Sequence, residues 1–216
     1  MTTAGALHVF DLDGTLLPAT TASLELARVT GHLEELHALE ARFGAGELDT
    51  RGFAAAIHEL WSDLTAAQVV EAFAAAQKLV RVADVFVDVR RRGERSMVIT
   101  MSPDFFAAEL VALGTDEVVA SRFPAVPFEG VALDPAGILT PDDKPRLVQE
   151  RLESLGLPVE RVVAYGDSMS DAPLFRMLHH TVAVNADDHL HDLAAARYVG
   201  DDLWPAYQLG RALLDR

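Results

Sequence analysis

The stretch LHVFDLDGT, residues 7–15, decides the fold. Leu7–Phe10 is a short apolar run of the kind found in strands buried on both faces, and it stops at two aspartates, Asp11 and Asp13, followed at once by Gly14 and Thr15. A packed core has no use for two carboxylates one residue apart. The end of this strand therefore either binds something or caps a turn.

Four more apolar runs follow the same pattern, at Met97–Ile99, Val118–Ala120, Val162–Tyr165 and Thr181–Val184. Helical patterns lie between them over Asp104–Leu113, Pro145–Leu155 and Ala172–Leu178. Alternation of this kind predicts an α/β fold, a doubly wound parallel sheet with helices on both faces. Residues 18–92 break the alternation. Their helical patterns, Ser23–Arg28, Phe53–Leu60 and Ala66–Val80, predict a helical insert, which leaves 1–17 and 93–216 as the core. A second irregular stretch, Phe123–Pro141, carries Pro124, Pro127, Gly130, Pro135 and Gly137 around short apolar pieces and reads as a β-hairpin flap.

Composition narrows the function. The 216 residues suffice for one large domain with an insert, and half of them are hydrophobic. Eighteen basic against 33 acidic residues give a net charge of −15, which argues against a broad grip on nucleic acid or anionic lipid. An anionic substrate must be attracted locally. With no cysteine, the chain has no disulfide, no thiolate nucleophile and no cysteine-ligated metal. The start MTTAGALHVFDLD lacks the features of a signal peptide and no run approaches 18 apolar residues, so the expectation is a soluble, cytoplasmic protein.

In parallel sheets, ligands bind beyond the carboxyl ends of the strands. Four polar features fall at or near such ends: Asp11 to Thr15, Thr100-Met101-Ser102-Pro103, Lys144 before a helix, and Gly166-Asp167-Ser168 with Asp171 just beyond. If Asp11, Asp13 and Asp167 converge, each pair of charges about 4 Å apart repels by roughly 4 kcal/mol at an effective dielectric of 20. A cation is needed among them, and all-oxygen ligands suit Mg²⁺ bridging carboxylates to a phosphate. The Thr100 hydroxyl, Ser102-Pro103 read as an N-cap and first helical position, and the Lys144 charge would serve the same phosphoryl group. Taken singly, Asp11 and Asp13 could equally be helix caps, and Lys144 a solvated loop charge.

DLDGT at 11–15, VITMS at 98–102, Lys144 and GDSMSD at 166–171 resemble, in order and spacing, the four motifs of the haloacid dehalogenase-like phosphohydrolases. The likeness covers roughly residues 5–17 and 93–200, and the insert position and flap look most like the phosphoserine phosphatase-like branch, with its helical cap between motifs one and two. The resemblance implies that Asp11 is the nucleophile and forms an aspartyl-phosphate. Asp13 would protonate the leaving oxygen and then activate water. The Asp11 and Asp167 carboxylates and the Asp13 backbone carbonyl would hold Mg²⁺. Asp171, with Ser168 beside it, would orient the metal's surroundings or Lys144, while Thr100 and the Met101 amide would bind phosphoryl oxygens. An acid at position 13 favours phosphoryl transfer over dehalogenation. The implied function is a Mg²⁺-dependent phosphatase of a small phosphorylated metabolite, or a phosphotransferase using the same phosphoenzyme.

The match also departs from the branch. Thr20 stands where its members carry a glutamate for the substrate's amino group, and Ile57 stands near the place of a cap arginine for its carboxylate. Phosphoserine is therefore not the expected substrate. Ser170 replaces a frequent asparagine. His58 and Trp61 are candidate cap contacts, though packing roles suit them as well. The run Asp187, Asp188, His189, His191, Asp192 could hold a metal, but reads more simply as a polar helix start. A serine-esterase triad of Ser168, Asp188 and His191 can be written, yet in that family the serine lies near the N-terminus and far from its histidine. A non-catalytic Mg²⁺-dependent binding module would leave the filled catalytic positions without a role.

Overall fold

The computed structural model describes residues 5–215. Residues 1–4, the start of the segment read for a signal peptide, lie outside them. Six strands form one parallel sheet: β1 (Leu7–Phe10), β2 (Arg95–Pro103), β3 (Glu117–Ser121), β4 (Val162–Gly166), β5 (Thr181–Val184) and β6 (Ala196–Tyr198). Their order is β3-β2-β1-β4-β5-β6 and every neighbouring pair is parallel. The chain winds outward from β1 in both directions. The order thus reverses beside β1, and the crevice beyond its carboxyl end is the natural ligand site.

Both faces of the sheet are buried, which is why its central strands read as unbroken apolar runs. Leu7 and Val9 point with Met97, Ile99, Val162 and Ala164 into one layer, closed by helices α7 (Asp143–Leu155) and α8 (Ala172–Met177). Phe10, Val98, Val163, Tyr165 and Val182 point into the other layer, closed by α5 (Val82–Arg91) and α9 (Leu203–Leu214). His8 faces this second layer too. It is fully buried, and its ring nitrogens lie 3.0 Å from the Tyr165 hydroxyl and 3.0 Å from Glu94 Oε2.

The interval after β1 folds into α1 (Ala22–Thr30), α2 (Leu33–Gly44), α3 (Thr50–Leu60) and α4 (Ala66–Ala75). Short polar residues start three of these helices: Thr21, Asp49 and Thr65 each accept a hydrogen bond from the first turn, and Thr65 and Gln68 cap reciprocally. α1 packs on α4 and α2 on α3, whereas α5 packs on β2 and α9. No helix of the described residues is long and apolar enough to cross a membrane.

Three local expectations are corrected. The helix from Ala66 ends at Ala75 instead of Val80, because the chain must turn back to the core: Leu79 N donates to Leu16 O and Val80 N to Asp201 O. The stretch 123–141 contains no hairpin; it is irregular apart from a 3₁₀ turn at Pro135–Gly137. Pro124, Pro127 and Pro135 cannot donate to a ladder, and the ends are joined instead by Arg122 N to Gly137 O and Leu139 N to Ser121 Oγ. The helical pattern at Asp104–Leu113 splits into the short α6 (Asp104–Ala107) and a 3₁₀ segment, Ala108–Leu113.

Candidate active site

The carboxyl ends of β1 and β4, adjacent in the sheet, deliver the central groups. Asp11 follows β1 directly, and its amide donates to Tyr165 O at 2.9 Å. Lys144, in the first turn of α7, is 2% exposed and sends its ammonium between two carboxylates, 2.6 Å from Asp11 Oδ1 and 2.6 Å from Asp171 Oδ1. The other Asp171 oxygen accepts the Asp167 amide at 3.0 Å, so Asp171 ties the loop after β4 to Lys144. Thr15 donates to Asp167 Oδ1 at 3.3 Å. Two glycines let these groups approach. Gly14 has φ +81°, and a Cβ on it would lie 2.1 Å from Asp167 Oδ2; a Cβ on Gly166 would lie 2.3 Å from Asp171 Cγ.

Crowding of acids shows in their proton affinities. Burial pushes Asp11 well above the usual carboxylate range, with Asp171, Asp167 and Asp13 adding to the rise and Lys144 opposing it. Asp167 is pushed up to about 7, by burial first and then by Asp171. Lys144 is raised despite burial, because Asp11 and Asp171 hold its charge. Carboxylate oxygens of Asp11, Asp167 and Asp171 lie within 4.8 Å of one another. An oxygen-only set carrying more negative charge than one lysine offsets fits a hard divalent cation.

Asp13 is turned away from that cluster. Its Oδ1 accepts the amide of Ala22 at 2.7 Å, at the start of α1, and its Oδ2 accepts the Ser102 hydroxyl. Burial raises Asp13, and these hydrogen bonds pull in the other direction. Ser102 is thus not the helix cap that its place before Pro103 suggested. β2 runs on through Pro103, which is itself the residue before α6, and a register shift between Ile99 and Pro103 turns Ser102 toward Asp13. Thr100 is 1% exposed, and its Oγ1 accepts the Ser102 amide at 3.0 Å. Asp11, Asp13, Thr100, Met101, Ser102, Asp167 and Ser168 all line one cavity of about 560 Å³.

The profile of the haloacid dehalogenase-like hydrolases matches residues 8–176. The chain belongs to that family. It is 28% identical over 192 residues to a phosphoserine phosphatase of Archaeoglobus fulgidus, an alignment covering 87% of this chain and 55% of that protein. The chain thus spans about half the length of this curated relative. Among the solved structures that share the fold are two of phosphoserine phosphatase. One is a substrate-bound phosphoserine phosphatase complex, with TM-score 0.79, 21% identity and coverage of 95% of this chain and 98% of that one. The other is a phospho-aspartyl intermediate analogue of phosphoserine phosphatase, with TM-score 0.79, 22% identity and coverage of 95% and 99%.

The wall opposite the carboxylates comes from α1–α3. Leu24, Phe43, Phe53, Ala54 and Ile57 line it, with Thr20 and Glu40. The Thr20 hydroxyl is not free, because it donates to buried Glu25, which also pairs with Arg28. His58 and Trp61 do not line the cavity. His58 stacks on Phe128, ring centroids 4.6 Å apart, and lies 3.1 Å from Val131 O; Trp61 is buried in the core. The esterase triad is not assembled: Ser168 Oγ is 3.3 Å from Ser170 Oγ, and His191 pairs with Asp192. Asp187 caps a 3₁₀ turn, Asp188–Leu190, and among the described residues the run 187–192 gathers no metal-binding group. Sequence reasoning missed the contact of Ser102 with Asp13 and the wall residues Leu24, Glu40, Phe43 and Phe53. Only the apolar spacing of α2 and α3 could have hinted at the wall, and the same spacing serves a core.

Proposed function

We propose that this hydrolase is a Mg²⁺-dependent phosphatase of small phosphomonoesters that works through a phosphorylated Asp11. The observation that carries the reading is the buried Asp11 carboxylate, fixed on one side by Lys144 and open on the other to a cavity of about 560 Å³. The likeness to phosphoserine phosphatases, one of them a phospho-aspartyl intermediate analogue, supports it. Asp11 and Asp167, with the Asp13 backbone carbonyl, would hold the divalent cation. Asp171 has both oxygens committed, to Lys144 and to the Asp167 amide, and so anchors the site. A bound Mg²⁺ supplies positive charge among the carboxylates and the phosphoryl oxygens.

An Asp11 oxygen attacks phosphorus in line, and the bond to the leaving oxygen breaks as Asp13 gives that oxygen its proton. Burial of Asp13 favours the protonated form needed for this step. Asp13, now ionised, then takes a proton from water, which attacks the acyl phosphate and frees Asp11 and inorganic phosphate. Lys144 stays charged throughout and, with Thr100 and the Met101 amide, would contact the phosphoryl oxygens. In an assay with p-nitrophenyl phosphate and Mg²⁺, Asp11→Asn should lower kcat by at least about a thousandfold, and excess EDTA should abolish turnover. Activity retained in either arm would falsify the reading, while Ser168→Ala should remain active.

A further inference from the structure

The cavity above Asp11 has an unusual charge inventory. None of the residues lining it is a lysine, arginine or histidine, whereas four are acidic: Asp11, Asp13, Asp167 and Glu40. Each nearby cation is already engaged by a protein group. Lys144 is held by Asp11 and Asp171, Arg28 pairs with Glu25, Arg51 donates to Pro135 O and His58 lies against Val131 O. Away from the catalytic floor the wall is apolar. Phe43 and Met169, both exposed large apolar side chains, face this same space. Exposed apolar groups gathered at one cleft mark a surface that a ligand covers.

Glu40 interrupts that wall. It is half-buried on α2 and makes no hydrogen bond or salt bridge among the described residues. Burial raises its proton affinity against the opposing pull of His37, so an approaching cation would relieve a desolvated charge, whereas an anion would meet one more carboxylate beside Asp11, Asp13 and Asp167. Ile57, buried in the same wall, offers an incoming carboxylate nothing.

We propose that this cavity selects phosphomonoesters whose alcohol has an apolar body and no anionic substituent, with Glu40 placed to meet an amine. The inference rests on the phosphatase reading above and adds the class of leaving group to it. Selection works mainly by exclusion: a substrate carboxylate is desolvated without a partner, among acids, while an apolar body replaces water against Phe43, Phe53 and Ile57.

Three aryl esters separate the terms: phenyl phosphate, its para-carboxy derivative and its para-aminomethyl derivative, each assayed with Mg²⁺ on the full chain. The carboxylate should lower kcat/KM by about tenfold or more relative to phenyl phosphate, and the aminomethyl group should raise it. Glu40→Gln should erase the aminomethyl advantage but keep the carboxylate penalty. Ile57→Arg should shrink that penalty. Equal or faster turnover of the carboxy ester by the unmodified protein would overturn the proposal, and an aminomethyl advantage that survives Glu40→Gln would overturn the part given to Glu40. If none of the three esters is hydrolysed, the phosphatase reading itself fails and this inference falls with it.

Discussion

At the scale of single residues the site is an arrangement of acids that the fold tolerates for what they bind. Asp167 shows the cost. Its folded-state proton affinity is raised from 3.8 to about 7, so the metal-free native state holds a proton there more tightly than the unfolded chain does. That contribution favours folding at low pH and is lost as pH rises through about 7. Without divalent cation, thermal stability should therefore carry a declining component between about pH 4 and 7, and Asp167→Asn should remove it. At pH 8 in EDTA this variant should be about 0.5–2 kcal/mol more stable than the parent, by chemical denaturation, and inactive in Mg²⁺. A less stable variant would mean that Asp167 is held by favourable contacts rather than strained by its neighbours. Asp11, Asp13 and Lys144 stood out in the sequence only through the order and spacing of four motifs, since each taken alone reads equally well as a cap or a loop charge. The Ser102 contact with Asp13 was not legible, since a serine before a proline looks the same whether it caps a helix or turns toward an acid.

At the scale of elements, burial decided what could be read. β1 and β5 have the limits of their apolar runs because both faces of those strands are covered. β6, Ala196–Tyr198, escaped because an edge strand of three partly exposed residues has no apolar run to show. The hairpin expected at 123–141 failed for the opposite reason: turn residues were read, but the prolines among them remove the donors that pairing needs. α9 supplies a test in which two effects oppose. Gly210→Ala would gain about 1 kcal/mol of helix propensity. The new Cβ, however, would lie 2.2 Å from the Tyr165 hydroxyl and 2.8 Å from Val163 Cγ1, and Tyr165 belongs to the strand that delivers Asp167. Overpacking of this kind costs about 1–3 kcal/mol, so the variant should lose stability in urea titration; a gain would show that α9 can slide on β4 without penalty.

At the scale of the whole molecule, the phosphatase reading asks a chain of net charge −15 to capture a dianion. Long-range repulsion is screened by salt, whereas Lys144 and the buried carboxylates feel it little. kcat/KM for a small phosphomonoester should thus rise, by about twofold or more, between low ionic strength and 0.15 M KCl at fixed free Mg²⁺. A fall would point to a local positive funnel that the described residues do not form. On the proposed mechanism, the strand ending at Phe10 presents Asp11 as the phosphoryl acceptor. The most direct measurement is acid quenching within a single turnover of p-nitrophenyl phosphate, followed by mass spectrometry of the peptide spanning residues 8–21. One phosphoryl group should appear on Asp11, decaying as phosphate is released, and none in Asp11→Asn. Turnover with no phosphoenzyme, or with the phosphoryl group on Ser168, would contradict that mechanism.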